Sequence, residues 1–275
     1  MPSAPAEIPR ELYLDLLKRV LTRTGFENSY RLIRQGSGWR SRAYPILRRA
    51  LDSQGLELVR WQDPSTREVG HDVPSDAETM VGRERLDNLQ WAVQTVLSDN
   101  VPGDLLEAGV WRGGSCILMR AVLQAYDCTD RTVWVADSFE GMPRTDPGKY
   151  PADAADVIGQ WDKLAVSREQ VQANFERYGL LDDQVKFLKG WFADTLPGAP
   201  VKQLALLRLD GDLYSSTMDI LDGIYERVAV GGFVIVDDYN IPTCSQAITD
   251  YREKHGITDE IIEIDGSGVY WRKSA

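Results

Sequence analysis

Leu105-Leu106-Glu107-Ala108-Gly109-Val110-Trp111-Arg112-Gly113-Gly114-Ser115 reads as an apolar strand that ends in a glycine turn and opens a helix. Ligands of open α/β sheets bind outside the carboxyl ends of the strands, where the topology changes direction. Glycines at such a turn let a ligand approach the backbone, and the start of the helix offers unpaired N–H groups. The spacing Gly-x-x-x-Gly-Gly is neither the Gly-x-Gly-x-x-Gly of dinucleotide binders nor a phosphate loop with its Lys-Ser/Thr. Glu107, the acid before the turn, suits a cationic amino-acid ligand better than a pyrophosphate. Alone, such a turn can equally be a plain connection between two elements.

Outward from this stretch, short apolar runs alternate with helical segments. After residues 104–108 come Thr132-Val133-Trp134-Val135-Ala136-Asp137, Val185-Lys186-Phe187-Leu188, Leu204-Ala205-Leu206-Leu207-Arg208-Leu209-Asp210 and Gly232-Phe233-Val234-Ile235-Val236-Asp237. Near-continuous apolar strands separated by helices predict a doubly wound, Rossmann-like α/β fold with a mostly parallel sheet covered on both faces. Ile261-Ile262-Glu263-Ile264 and Gly268-Val269-Tyr270-Trp271-Arg272 read as a closing antiparallel pair around Asp265-Gly266-Ser267.

The chain divides near residue 100, into an N-terminal helical extension (1–100) and an α/β core (101–275) expected to form one integrated unit. In the extension, Arg10 to Leu21 reads as an amphipathic helix with Leu12, Leu16, Leu17 and Val20 on its apolar face. A second helix is expected to begin after Ser75 or Asp76 and to run through Leu86, Leu89 and Val93 to Leu97. Between them, Gly36 to Met80 has weak periodicity, bulky Trp39, Tyr44 and Trp61, and turn signals at Asp63-Pro64-Ser65 and Pro74-Ser75-Asp76. Arg144 to Ser167 is a second long irregular segment, with Trp161; such loops are lids, binding loops or plain insertions, and the tryptophans favour substrate cover.

Composition sets bounds. With 275 residues, 43% hydrophobic and 27% charged, the chain has the make-up of a soluble globular protein. No apolar run approaches the roughly 18 residues of a membrane span. Met1 to Glu7 carry no basic region and no apolar stretch of a secretory leader, so a cytoplasmic address is expected. Cys116, Cys128 and Cys244 are odd in number and widely spaced, against a disulfide framework or a thiolate zinc site. A net charge of −11 would repel a phosphate backbone, which speaks against nucleic-acid binding.

The other strand ends carry more chemistry. Asp137-Ser138 closes the second strand, where an α/β cofactor site places an acid that accepts hydrogen bonds from ribose hydroxyls; a helix cap is the plainer reading. Gly190-Trp191-Phe192-Ala193-Asp194 follows the third, with an aromatic pair and an acid suited to an adenine face and its amine. Together the three ends describe an adenosyl ligand. The fourth strand ends Asp210-Gly211-Asp212 and the fifth Asp237-Asp238. So many carboxylates at neighbouring strand ends repel one another unless a hard cation such as Mg²⁺, or Mn²⁺, binds among them. Asp210, Asp237 and Asp238 are the candidate metal ligands and Asp212 the candidate general base for deprotonating an alcohol. His71 is the runner-up base; His255, in a charged helical stretch, reads as a surface residue.

These motifs resemble the macrocin-type O-methyltransferases, which methylate deoxysugars on macrolide and aminocoumarin antibiotics. The resemblance runs from about Tyr13 to the end. It is carried by Thr79-Met80-Val81-Gly82 with Arg85-Leu86, Glu107 to Gly114, Val133 to Phe139, Gly190-Trp191-Phe192 with Asp194-Thr195-Leu196-Pro197, Arg208 to Tyr214, and Gly231-Gly232 with Val236-Asp237-Asp238-Tyr239. It implies a class I fold that uses S-adenosylmethionine, Mg²⁺ on Asp210, Asp237 and Asp238, and Asp212 as base, with Asp210 also a catalytic residue. The cofactor contacts it suggests, with the strand-end reading, are Met80, Glu107, Gly109, Arg112, Gly113, Ser115, Asp137, Ser138, Gly190, Trp191, Phe192, Asp194 and Asp210. It also implies a small-molecule glycoside as substrate and a homodimer in which the N-terminal segment covers the active site. Ala108 is a mild departure, since relatives often carry threonine there, and the loops 36–80 and 144–167 are where members differ most. The alternatives are a metal-dependent methyltransferase of a phenol or catechol, and a non-catalytic cofactor-binding partner. A nicotinamide-dependent oxidoreductase is disfavoured by the missing Gly-x-Gly-x-x-Gly turn.

Overall fold

A computed structural model describes residues 7–26, 30–33, 40–61, 63–146, 148–155 and 164–275. The apolar runs form strands β1 (Asp104–Ala108), β2 (Val133–Asp137), β3 (Val185–Lys189), β4 (Leu204–Leu209) and β5 (Val228–Val236). They are followed by β6 (Ile262–Glu263) and β7 (Val269–Arg272). All seven make one sheet in the order β3-β2-β1-β4-β5-β7-β6, with β1 to β5 parallel and β7 antiparallel to both of its neighbours. The chain fills one half of the sheet outward from β1, then returns to start the other half at β4. The switch point lies between β1 and β4.

The helices are α1 (Glu7–Leu21), α2 (Arg40–Asp52), α3 (Pro64–Val69), α4 (Arg83–Ser98), α5 (Gly114–Ala125), α6 (Arg168–Arg177), α7 (Phe192–Thr195), α8 (Tyr214–Ile224) and α9 (Pro242–His255). Successive strand residues point to opposite faces. Leu105, Val133, Ala205 and Ile235 therefore join α1, α4, α5 and α6 in one buried layer, while Leu106, Ala136, Leu207 and Val236 join α8 and α9 in the other. Leu14, Leu17 and Leu21 of α1 and Leu86, Leu89 and Val93 of α4 thus lie in one hydrophobic core with the sheet.

Several local expectations need correction. The buried face of α1 is Leu14, Leu17 and Leu21, whereas Leu12 and Leu16 are 65% and 61% exposed; the helix carries two apolar stripes and packing against α5 takes the other one. Residues 40–80 hold more structure than expected: α2, α3 and the strand Val59–Trp61, which pairs antiparallel with Tyr30–Leu32. Pro45 inside the strongly basic α2 hid its periodicity. Asp63-Pro64-Ser65 is a helix start rather than a turn, since the Asp63 carboxylate accepts from the Ser65 N–H (3.0 Å) and Gly70 closes α3 in the left-handed region. Helix α4 begins at Arg83, later than expected, because residues 77–81 spend their backbone groups elsewhere. The Glu78 and Ala77 carbonyls accept from Gly114 N–H and Arg112, and the Met80 and Val81 carbonyls accept from buried Arg67. Trp39, Trp161 and the side chain of Trp61 lie outside the described residues.

Candidate active site

The loops after the parallel strands start from one rigid rim. The sheet ladder runs one residue past the strand ends: Gly109 N–H donates to Ala136 O, Asp210 N–H to Ala108 O and Asp237 N–H to Leu209 O, each at 2.9 Å, and Gly190 N–H to Asp137 O at 3.0 Å. Beyond it the backbone is forced. Trp111, Phe139 and Asp212 adopt φ of 47°, 58° and 54°, just past β1, β2 and β4. Bulky residues rarely enter this region, and such conformations cost of order 1 kcal/mol or more each unless the surroundings impose them. Asp137 supplies part of that imposition. Its carboxylate accepts from Val110 N–H (2.8 Å) and Phe139 N–H (2.7 Å), clamping the first two loops together. Burial raises the Asp137 pKa, and these N–H groups act against the rise.

The other expected cofactor residues differ in exposure and partners. Gly113 caps α5 at φ 86° and makes no side-chain cap bond; Ser115 behind it is buried. Arg112 donates to Ala77 O (2.7 Å) and stacks on the Trp111 ring (4.2 Å). Ser138 turns into its own loop, donating to Gly141 O (2.7 Å) and accepting from Glu140 N–H (3.0 Å). Met80 is half-buried. After β3, Gly190 takes φ 140°, Trp191 and Asp194 are exposed, and Phe192 rests on the α8–α9 core. Glu107 does not face outward from the strand end: it is buried, ion-paired to Arg208, and accepts from Cys116 Sγ (2.7 Å). Burial pushes its carboxyl up to about 7 against the pull of Arg208.

The acids after β4 and β5 do converge. Asp210, Asp237 and Asp238 each offer a carboxylate oxygen, and these oxygens lie within 4.8 Å of one another. Asp237 accepts from Arg85 Nη1 (2.6 Å) and is ion-paired to Arg208, which also donates to Asp210 (2.8 Å). Burial pulls Asp237 upward, but Arg208 and Arg85 together hold it below the usual carboxylate range. For Asp210 and Asp238 burial wins, reinforced by neighbouring carboxylates, and both are raised, Asp238 strongly. Asp238 Oδ2 is buried with no hydrogen-bond partner among the described residues. A buried acceptor in that state is costly unless something binds it. Asp212 stands half-buried on the strained turn before α8, and its charge is among those that raise Asp238. His71 is exposed; His255 is exposed and stacked on Tyr251 (4.2 Å).

Sequence reasoning assigned no role to Arg208, Arg85, Asp265 or Asp153. Arg208 left a signal, a cation inside the otherwise apolar Leu204-Ala205-Leu206-Leu207-Arg208-Leu209, and it sits directly opposite Glu107 in the β1–β4 register. Asp153, in a short 3₁₀ segment (Pro151–Ala155) of the second irregular loop, is 1% exposed and accepts from Tyr214 N–H (2.8 Å) and Ser215 N–H (3.0 Å). It caps α8 from a distant loop, because Leu213 at the N-cap has no side chain able to do so.

Against this geometry, the family profile described as "Macrocin-O-methyltransferase (TylF)" matches residues 10–273. The 8-demethyl-8-(2,3-dimethoxy-alpha-L-rhamnosyl)-tetracenomycin-C 4'-O-methyltransferase of Streptomyces olivaceus is 53% identical over 270 residues, covering 98% of this chain and 95% of that protein. The demethyldecarbamoylnovobiocin O-methyltransferase of Streptomyces niveus is 48% identical over 265 residues, covering 96% and 94%. Among solved structures, that of the O-methyltransferase NovP superposes with a TM-score of 0.83 at 46% identity, covering 97% of this chain and 100% of that one.

Proposed function

The chain belongs to the macrocin O-methyltransferase family and is an S-adenosylmethionine-dependent O-methyltransferase, and from that premise we propose that it methylates a sugar hydroxyl of a glycosylated natural product in antibiotic biosynthesis, assisted by a divalent cation. The observation that carries the cation is the convergence of Asp210, Asp237 and Asp238 around a buried, unsatisfied Asp238 Oδ2. A hard ion fits this donor set, since carboxylates outnumber guanidinium groups there and burial disfavours bare anions. Mg²⁺ is the ion proposed, and Mn²⁺ would suit the same oxygens.

S-adenosylmethionine supplies an electrophilic methyl group on a sulfonium. The cation, when bound, lowers the pKa of the acceptor hydroxyl and offsets the charge of the rim. The chain's own residues do the rest. The glycine turn 109–113, with Met80, Arg112 and Ser115 around it, receives the amino-acid end of the cofactor; Asp137 and Ser138 border the ribose; Gly190, Trp191, Phe192 and Asp194 border the adenine. Each carboxylate oxygen accepts more than one bond, so Asp137 can hold the two loops and still take a ribose hydroxyl. Glu107 acts from behind the turn, through Arg208. Asp212 takes the acceptor's proton: it is close to the rim and fixed by its αL backbone.

The loops within 36–80 and 144–167 cover the crevice and exclude water, and residues 1–100 serve as the extension that carries the first of them. A homodimer would bury Ile8, Leu12 and Leu16, exposed at 54%, 65% and 61% along one stripe of α1. Among the described residues no helix is long and apolar enough to cross a membrane, and the cytoplasm is the proposed site of action.

The test is methyl transfer from methyl-labelled S-adenosylmethionine to 8-demethyl-8-(2,3-dimethoxy-α-L-rhamnosyl)-tetracenomycin C and related glycosides. One new methyl ether on the sugar, located by NMR, lost with chelator and restored by Mg²⁺, is expected. Methylation of an aglycone phenol, or a rate indifferent to chelator, would overturn the sugar or the cation respectively.

A further inference from the structure

We infer that Arg85, on the first turn of α4, is a positioning residue for the cation site, holding Asp237 in its ligating orientation from the N-terminal extension; this rests on the cation reading above. Arg85 is buried and forked between two acids. Its Nη1 donates to Asp237 Oδ2 (2.6 Å) and its Nε to Asp265 Oδ2 (2.8 Å). The second oxygen of Asp237 belongs to Arg208. With one guanidinium on each oxygen the carboxylate cannot rotate, and what accepting capacity remains is presented within reach of Asp210 and Asp238. Groups that orient metal ligands in this way tune affinity without touching the ion.

Arg85 is itself held. Asp265 Oδ1 accepts from Ser267 N–H (3.1 Å) and Gly268 N–H (3.0 Å), so the β6–β7 turn presents its other oxygen in a fixed direction. The turn is tied in its turn to the ligand loop, because Asn240 N–H donates to Ser267 O (3.2 Å). Gly268 leaves room for the arginine stem: a Cβ there would stand 3.0 Å from Arg85 Cδ. Turn, arginine and Asp237 thus form one chain of contacts from the C-terminal hairpin through α4 to the rim. Arg208 differs, since it also binds Glu107 and Asp210 inside the sheet, and its loss would unsettle the core itself.

The test uses chelator-treated full-length protein, free Mn²⁺ followed by electron paramagnetic resonance, and S-adenosylhomocysteine calorimetry as a separate readout. Arg85→Met is expected to weaken Mn²⁺ binding about 10–100-fold while cofactor-product affinity stays within about threefold. Arg85→Lys should recover part of the loss, because one ammonium cannot fork between both acids. Asp265→Asn, which keeps the Arg85–Asp237 pair but loosens its support, should fall between wild type and Arg85→Met. Wild-type Mn²⁺ affinity in Arg85→Met overturns the inference; if that variant does not fold, wild-type affinity in Asp265→Asn overturns it instead. Absence of Mn²⁺ binding by the wild-type protein would remove the cation reading itself, and the inference with it.

Discussion

Gly109 and Asp210 meet backbone to backbone where the sheet reverses its strand order. Gly109 sits at φ 90°, and a Cβ on it would overlap the carbonyl oxygen of Asp210. Through this contact the turn assigned to the cofactor and the rim assigned to the cation share a foundation, so that a disturbance of one reaches the other.

Alanine at 109 is expected to cost about 3 kcal/mol or more, combining a disfavoured backbone with overpacking. Chemical denaturation reads the loss, and S-adenosylhomocysteine and metal affinities should fall together. Gly198, where a Cβ would meet nothing within 4 Å, is the control: Gly198→Ala should stay within about 0.5 kcal/mol of wild type. A stable Gly109→Ala with normal affinities would mean that the two loops are independent.

Asp212→Asn should lower turnover at least about 100-fold, the scale expected when a general base is removed, with metal binding retained. Single-turnover methyl transfer and Mn²⁺ binding on the same preparation separate the two effects. Near-normal turnover would move the base elsewhere, with His71 first in line.

The metal-free protein should lose stability as pH rises from mildly acidic to mildly basic. Glu107, pushed up to about 7, and the raised Asp210 and Asp238 bind protons more tightly folded than unfolded. Their contribution is complete below the ordinary carboxylate pKa near ~4 and is lost as pH climbs through the folded values. Asp237, held low, runs the other way: its contribution is present above ~4 and is lost as pH falls through its folded value. Mg²⁺ needs its ligands ionised, so it should raise the melting temperature more near pH 8 than near pH 6. Equal shifts at the two pH values would count against this assignment.

Asp153→Ala should cost about 1 kcal/mol, as loss of a helix cap does, and should loosen residues 148–155. Faster proteolytic cutting within that segment, with S-adenosylhomocysteine affinity preserved, is the expected result. Unchanged cutting would show that Asp153 serves α8 alone.

The sheet and the rim were legible because the relevant patterns are local. Each parallel strand is a short apolar run ending in glycine or acid, and Asp210, Asp212, Asp237 and Asp238 follow two of those runs directly. What stayed hidden was set by contacts between distant segments. Leu12 and Leu16 look as apolar as Leu14 and Leu17, and only packing against α5 decides which stripe is covered. Nothing near Asp153 announces that it caps a helix in another part of the chain. Glu107 reads as a ligand-facing acid until Arg208 is seen beside it, and Arg85 reads as an ordinary charge on α4 until the β6–β7 turn folds against it. The start of α4 is set for the same reason later than the periodicity suggests, since the carbonyls of Ala77, Glu78, Met80 and Val81 are claimed by Arg112, Gly114 and Arg67.

The most direct measurement is calorimetric titration of Mg²⁺ into chelator-treated protein saturated with S-adenosylhomocysteine, for wild type and Asp238→Asn. Asp238 holds no arginine among the described contacts, so this variant should keep the metal-free stability of wild type, unlike Asp237→Ala, which strands two buried cations. The account predicts a single Mg²⁺ site in the wild type that disappears in Asp238→Asn. No Mg²⁺ binding by folded wild-type protein that binds S-adenosylhomocysteine, or undiminished binding by Asp238→Asn, would contradict it.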